Sequence, residues 1–180
     1  MQFISPKSEE IDITNKAKGR LRENSQKINY FKQIFEKPWG YEYLAYQNDK
    51  IGIWILHVNS DCETSLHCHF KKDTLIYCLD GSFKINLFDS YEILNTFDNI
   101  YIPRNTFHGI YSYTNDSVLM EIEIYTDEID YTDKNDLLRI KDIYNRDKNC
   151  YETSVVSKEA KNNEIMNFHN SKTYHVKNTQ

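Results

Sequence analysis

Long apolar runs are missing from this sequence. No window approaches the ~18 consecutive apolar residues that a membrane-spanning helix needs. Residues 1–18 also lack the apolar stretch of a signal peptide, so the expectation is a soluble, cytoplasmic protein with no membrane partner. A basic excess is absent as well. Lys and Arg number 22 against 27 Asp and Glu, a net charge of −5, and no basic stripe offers nucleic acid a footprint. Glycine and proline are scarce, 5 and 3 in the whole chain, whereas Tyr and Phe number 14 and 9; that balance favours strands. Four cysteines (Cys62, Cys68, Cys78 and Cys150) occur without a secretory context and are expected to be reduced thiols.

What is present fits one domain with extensions, since 180 residues can bury a single sizeable core. A mean hydropathy of −0.71 says that polar, Asn- and Lys-rich segments accompany that core. Residues 1–19 read as a loose polar lead-in. Over 20–36, Leu21, Ile28, Phe31, Ile34 and Phe35 recur at roughly helical spacing and predict a short amphipathic helix. Pro38-Trp39-Gly40 then breaks the pattern. Nine strands are predicted, at 41–47, 51–58, 64–69, 74–79, 82–88, 91–95, 99–102, 106–113 and 117–125, separated by turn-forming residues such as Asp80-Gly81 and Asp89-Ser90. Many short, evenly spaced strands indicate an all-β sandwich or barrel. Leu137, Leu138, Ile140 and Tyr144 suggest a short helix or wrapping arm. The expected divisions are an N-terminal extension (1–36), a barrel with its closing arm (37–147) and a polar tail (148–180).

The chemistry concentrates on three histidines. In Leu66-His67-Cys68-His69, strand alternation puts both imidazoles on one face and Cys68 on the other. Two neutral imidazoles side by side are a ready pair of ligands for a divalent transition metal. The second element is Pro103-Arg104-Asn105-Thr106-Phe107-His108. Pro103 fixes φ at a strand end, Asn105 tolerates the left-handed conformation a tight turn needs, and His108 opens the next strand.

In this order and about forty residues apart, the two elements resemble the signature motifs of the cupin superfamily. Leu79-Asp80-Gly81 closes the first, and Asn105 stands where the second normally has glycine. The resemblance implies a double-stranded β-helix, the jelly-roll barrel, with a divalent metal (zinc, manganese or iron) on His67, His69 and His108. Across residues 37–147 the chain is similar to the isomerase domain of type II mannose-6-phosphate isomerases. Lys37-Pro38-Trp39-Gly40, Tyr101-Ile102-Pro103, Met120-Glu121-Ile122-Glu123 and Asp136-Leu137-Leu138-Arg139 carry that likeness in order. It implies a small-molecule partner, a sugar phosphate or nucleotide sugar, and a setting in surface carbohydrate biosynthesis. Cupins commonly dimerise, so a homodimer is the expectation.

Two departures bear on the site. Thr74 occupies the slot where the family carries a glutamate ligand, and Ser112 stands where an asparagine is usual. The centre is then a three-histidine site, a site completed by the neighbouring Asp73, or a pocket without metal. Aldose–ketose isomerisation needs a base, an electrophile and a grip on phosphate. Glu121 or Glu123 is the candidate base, Lys72 a further catalytic candidate, and Lys71, Arg104 and Tyr101 the candidates to hold substrate. His57 reads as a core histidine, Trp54 and Tyr77 as core or pocket wall, and Arg139 and Asp142 as braces of the closing arm. The rival readings are a non-catalytic sugar-binding cupin and a three-histidine Fe(II) thiol dioxygenase.

Overall fold

The computed structural model describes residues 1–18, 29–126 and 129–146, together with the backbone of 155–159. Its elements in chain order are β1 (Gln2–Phe3), α1 (Ser8–Lys18), β2 (Gln33–Lys37), β3 (Gly40–Gln47), β4 (Ile51–Val58), β5 (Leu66–Cys68), β6 (Lys72–Asp80), β7 (Ser82–Leu87), β8 (Tyr91–Asn95), β9 (Asn99–Ile102), β10 (His108–Ser112), β11 (Ser117–Tyr125), β12 (Leu138–Lys141) and β13 (Val155–Glu159). They form an eight-stranded sheet, β1-β9-β6-β11-β4-β3-β2-β13, and a five-stranded sheet, β12-β5-β10-β7-β8. Every one of the nine strands expected between 41 and 125 is present, four of them with identical ends.

The core lies between the sheets because each strand buries alternate residues. Leu44, Trp54, Leu56, Ile76, Cys78 and Leu119 come from the large sheet and Phe83, Ile85, Leu94 and Ile110 from the small one. Cys62, Cys68 and Cys78 are free thiols; Cys150 lies outside the described residues. No described helix is long and apolar enough to cross a membrane.

Helix placement departs from expectation. The part of 20–36 that falls on 19–28 lies outside the described residues, and 33–37 is strand β2. Ile34 packs with Tyr41 on one side of the sheet while Phe35 joins Tyr30 and Trp54 in the main core. A strand buried on both faces carries adjacent apolar residues, and here they imitate helical spacing. The helix is instead α1, in the segment read as a loose lead-in. Its inner face, Glu10, Ile13, Thr14 and Ala17, has the right i, i+3, i+4, i+7 spacing, but half of it is polar. Glu10 accepts the Lys7 N–H at 2.8 Å, closing the first turn as a capping box does. Acidic residues in the first turn and lysines in the last complement the helix dipole. The suggested arm became β12, paired with β5. Of the expected tail, only the backbone of β13 is described.

Gly40 begins β3 at φ 147°, in the region open chiefly to glycine. A Cβ there would stand 1.9 Å from the His57 carbonyl oxygen. Gly40→Ala is therefore expected to destabilise the fold by at least about 2 kcal/mol, read as a lower urea midpoint.

Candidate metal centre and cleft

The three histidines converge at one end of the space between the sheets. His108 on β10 is the direct cross-strand partner of His67 on β5, and His69 follows β5 by one residue. One nitrogen from each ring lies within 4.8 Å of the others, with ring centroids 4.7–5.4 Å apart. Asn105 at φ 64° makes the expected left-handed turn, and its N–H donates to the His69 carbonyl at 2.7 Å. That bond ties the second motif to the first.

Hydrogen bonds decide which nitrogen is available. Each Nδ1 faces a backbone carbonyl: Ser65 at 2.8 Å for His67, Asp136 at 2.5 Å for His69 and Thr106 at 3.1 Å for His108. A carbonyl only accepts, so each Nδ1 carries the proton and each Nε2 keeps its lone pair. The Nε2 atoms of His69 and His108 are buried without a hydrogen-bond partner among the described residues. Burial, assisted by Lys72, holds His69 well below the usual imidazole range and brings His108 down to about 4. Three converging imidazoles with fixed tautomers, two of them held neutral by burial, are the donor set of a divalent transition metal. The residues fit the group.

Among the described residues no carboxylate joins the three. Thr74 points inward, 1% exposed, while Asp73 faces the opposite side of β6. There it accepts from the Tyr101 hydroxyl at 2.5 Å and the Arg104 N–H at 2.8 Å. The possibility that Asp73 completes the site is thereby corrected, for the reason that adjacent strand residues point apart. Tyr101 alternates with buried Ile100 and Ile102, so it too faces away, and Arg104 is exposed. Lys71 lies 3.7 Å from Asp133. The structure brings none of Asp73, Tyr101, Arg104 and Lys71 to the cleft beside the histidines. Ser112, in the asparagine position, donates to the Thr114 carbonyl at 2.9 Å and closes a turn.

That cleft opens beside the histidines between the two sheets. Its charged lining is His67, His69, Lys72, Glu42, Glu121, Lys134 and Arg146. Glu121 and Glu123 share the inward face of β11, but their surroundings separate them. Glu123 is 1% exposed and pairs with Lys72, while the Thr132 hydroxyl donates to it at 2.6 Å. Burial alone would push its carboxyl up; Lys72, Lys134 and these hydrogen bonds hold it below the usual value. Glu121, without a bonded cation, is raised by burial to about 7, against the pull of Lys72. Two carboxylates driven apart in this way divide into a fixed anion and a titrating group. Lys134 bonds Glu42 at 2.8 Å and stands 3.6 Å over the Trp54 ring. Arg146 pairs with Asp142 at 2.7 Å.

Glu42, Lys134, Asp136 and Arg146 were not singled out from sequence as site residues. Glu42 had a usable signal, since it sits in the inward phase of β3 beside Leu44. Arg146 closes the Asp142-Ile143-Tyr144-Asn145-Arg146 stretch that shares in the family likeness, whereas Lys134 had no signal, being a loop residue brought in by the arm. His57 is buried and stacked on Tyr41 at 4.3 Å, outside the histidine group.

Two facing sheets with three inward histidines at one end define the chain as a cupin. It belongs to the family described as mannose-6-phosphate isomerase C-terminal, which it matches over residues 23–142. Among solved structures, KdgF from Halomonas sp. is 17% identical, with a TM-score of 0.49 over 52% of this chain and 89% of that one. An RmlC-like cupin from Shewanella frigidimarina is 16% identical, with a TM-score of 0.48 over 60% of this chain and 96% of its own. A sugar phosphate isomerase of the cupin superfamily from Silicibacter pomeroyi is 12% identical, with a TM-score of 0.40 over 43% and 52% respectively. No curated protein matches the chain.

Proposed function

We propose that the chain is a metal-dependent isomerase or epimerase of a sugar phosphate or nucleotide sugar, working in carbohydrate biosynthesis as a cytoplasmic homodimer. The observation that carries the reading is the pairing, across one cleft, of three metal-ready imidazoles with Glu121, a carboxyl held near neutrality. A divalent cation on His67, His69 and His108 would supply Lewis-acid polarisation of the substrate's carbonyl and hydroxyl oxygens. Glu121 takes the proton from the carbon beside the carbonyl and returns it on the same face to the adjacent carbon in an isomerase; in an epimerase a second acid would have to protonate the opposite face. Lys72 keeps Glu123 charged and tempers the pKa of Glu121. Lys134 and Arg146, steadied by Glu42 and Asp142, offer donors to the substrate's anionic group. The burial of Trp39, Leu56 and Leu137 around the cleft limits water at the reacting carbons.

Because the base must be ionised, the turnover rate should rise with pH through about 7 and level off above it. Glu121→Gln should lower kcat by about 10²–10⁴-fold and remove that limb. The decisive assay incubates metal-loaded protein with aldose and ketose phosphates in deuterated water and follows solvent deuterium at C1 and C2 by NMR. Fully metallated protein that exchanges and interconverts none of them overturns the proposal. Saturable binding without exchange would indicate a sugar-binding role, favoured by the missing carboxylate ligand. Oxygen uptake on adding a thiol to the iron form would indicate a dioxygenase.

A further inference from the structure

Helix α1 precedes the residues that match the family, yet it lies directly behind the histidines. Cys68 stands between His67 and His69, Phe70 follows His69, and Phe107 precedes His108. Strand alternation turns these residues away from the ligand side. With Leu138 they form a separate apolar cluster, and α1 packs Ile13 and Ala17 against it.

The same helix buries a carboxylate there. Glu10 is 2% exposed, and both of its oxygens accept backbone N–H groups, Lys7 at 2.8 Å and Phe107 at 2.7 Å. The Phe107 N–H belongs to the Thr106–Phe107 peptide group, whose carbonyl accepts the His108 Nδ1–H at 3.1 Å. Carboxylate, peptide and imidazole therefore form one hydrogen-bonded chain. An anion on the N–H side strengthens the carbonyl as an acceptor. A stronger, fixed acceptor at Nδ1 orients the ring and makes Nε2 a better donor to a metal.

We propose that α1 is a working part of the metal centre, with Glu10 a positioning residue that acts on His108 through the Thr106–Phe107 peptide. The inference rests on the histidines holding a divalent metal, and its test separates the two. Full-length protein is stripped with chelator and titrated with Co²⁺, with affinity and visible d–d bands recorded for the native sequence, Glu10→Ala, Glu10→Gln and Ile13→Ala. Glu10→Ala should bind Co²⁺ about tenfold more weakly with shifted bands. Glu10→Gln, which keeps an acceptor but loses the charge, should show a smaller change in the same direction. Ile13→Ala should lower the melting temperature and leave affinity and spectrum alone. Unchanged binding in both Glu10 variants overturns the inference while the metal site stands. Equal weakening in Ile13→Ala and the Glu10 variants also overturns it, because the helix would then act only through stability. Failure of the native sequence to bind Co²⁺ removes the metal reading itself.

Discussion

His69→Ala is expected to weaken divalent-metal binding by more than about a hundredfold, since loss of a second-shell partner alone costs up to that much. His69 shares with His108 the two features that make the substitution informative. Its Nδ1–H is spent on the Asp136 carbonyl and its Nε2 is buried with no partner among the described residues. Removing the ring breaks one hydrogen bond to the arm and gives up the packing of a buried side chain, besides the ligand, so the metal-dependent part of the melt is the readout. Metal at about 100 times its Kd stabilises a fold that binds it by about 2.7 kcal/mol. For a chain of this size that is roughly 5–10 °C in Tm. The native protein should show that rise on adding metal and His69→Ala should not, in a thermal melt with and without the ion. Equal rises in both would sink the three-histidine site.

Lys72→Met should cost about 3–5 kcal/mol, because it leaves the Glu123 carboxylate charged and buried without its cation. At roughly 2–4 °C per kcal/mol for a protein of this length, Tm should fall by roughly 6–20 °C. The double substitution Lys72→Met with Glu123→Leu should recover much of the loss, since a buried pair replaced on both sides is near neutral. A double-mutant cycle in urea measures the coupling. The same single change should move the rising limb of the pH–rate profile upward, because Lys72 is the cation that pulls the Glu121 pKa down. A stability loss with an unmoved pH profile would assign Lys72 to the fold alone.

The missing carboxylate at Thr74 acquires a structural counterpart in this pair. Thr74 on β6 lies directly across from Glu123 on β11. A buried carboxylate thus sits one strand away from its expected place, and Lys72, two residues before Thr74, neutralises it. That exchange was invisible along the chain, because 49 residues separate Thr74 from Glu123 and only strand register joins them.

What could be read directly was local. A two-residue period put His67 and His69 on one face and opposed Asp73 to Thr74. Turn chemistry marked Asn105, and short apolar runs located the strands. Where local pattern misled, a non-local partner was the cause. Ile34 and Phe35 imitated a helix because strand β2 is covered on both faces. Helix α1 escaped notice because half of its buried face is Glu10 and Thr14. A polar residue reads as exposed until the backbone N–H it will meet, here that of Phe107, is known.

By itself, then, the sequence determined the two-sheet architecture and the facing of the three histidines, since strand period and turn preference act over a few residues. Tertiary structure alone decided which carboxylate is paired and which titrates. It also decided which cations reach the cleft and that an N-terminal helix braces His108. Those outcomes depend on burial and on register between distant strands, and neither quantity is written in any short stretch of chain.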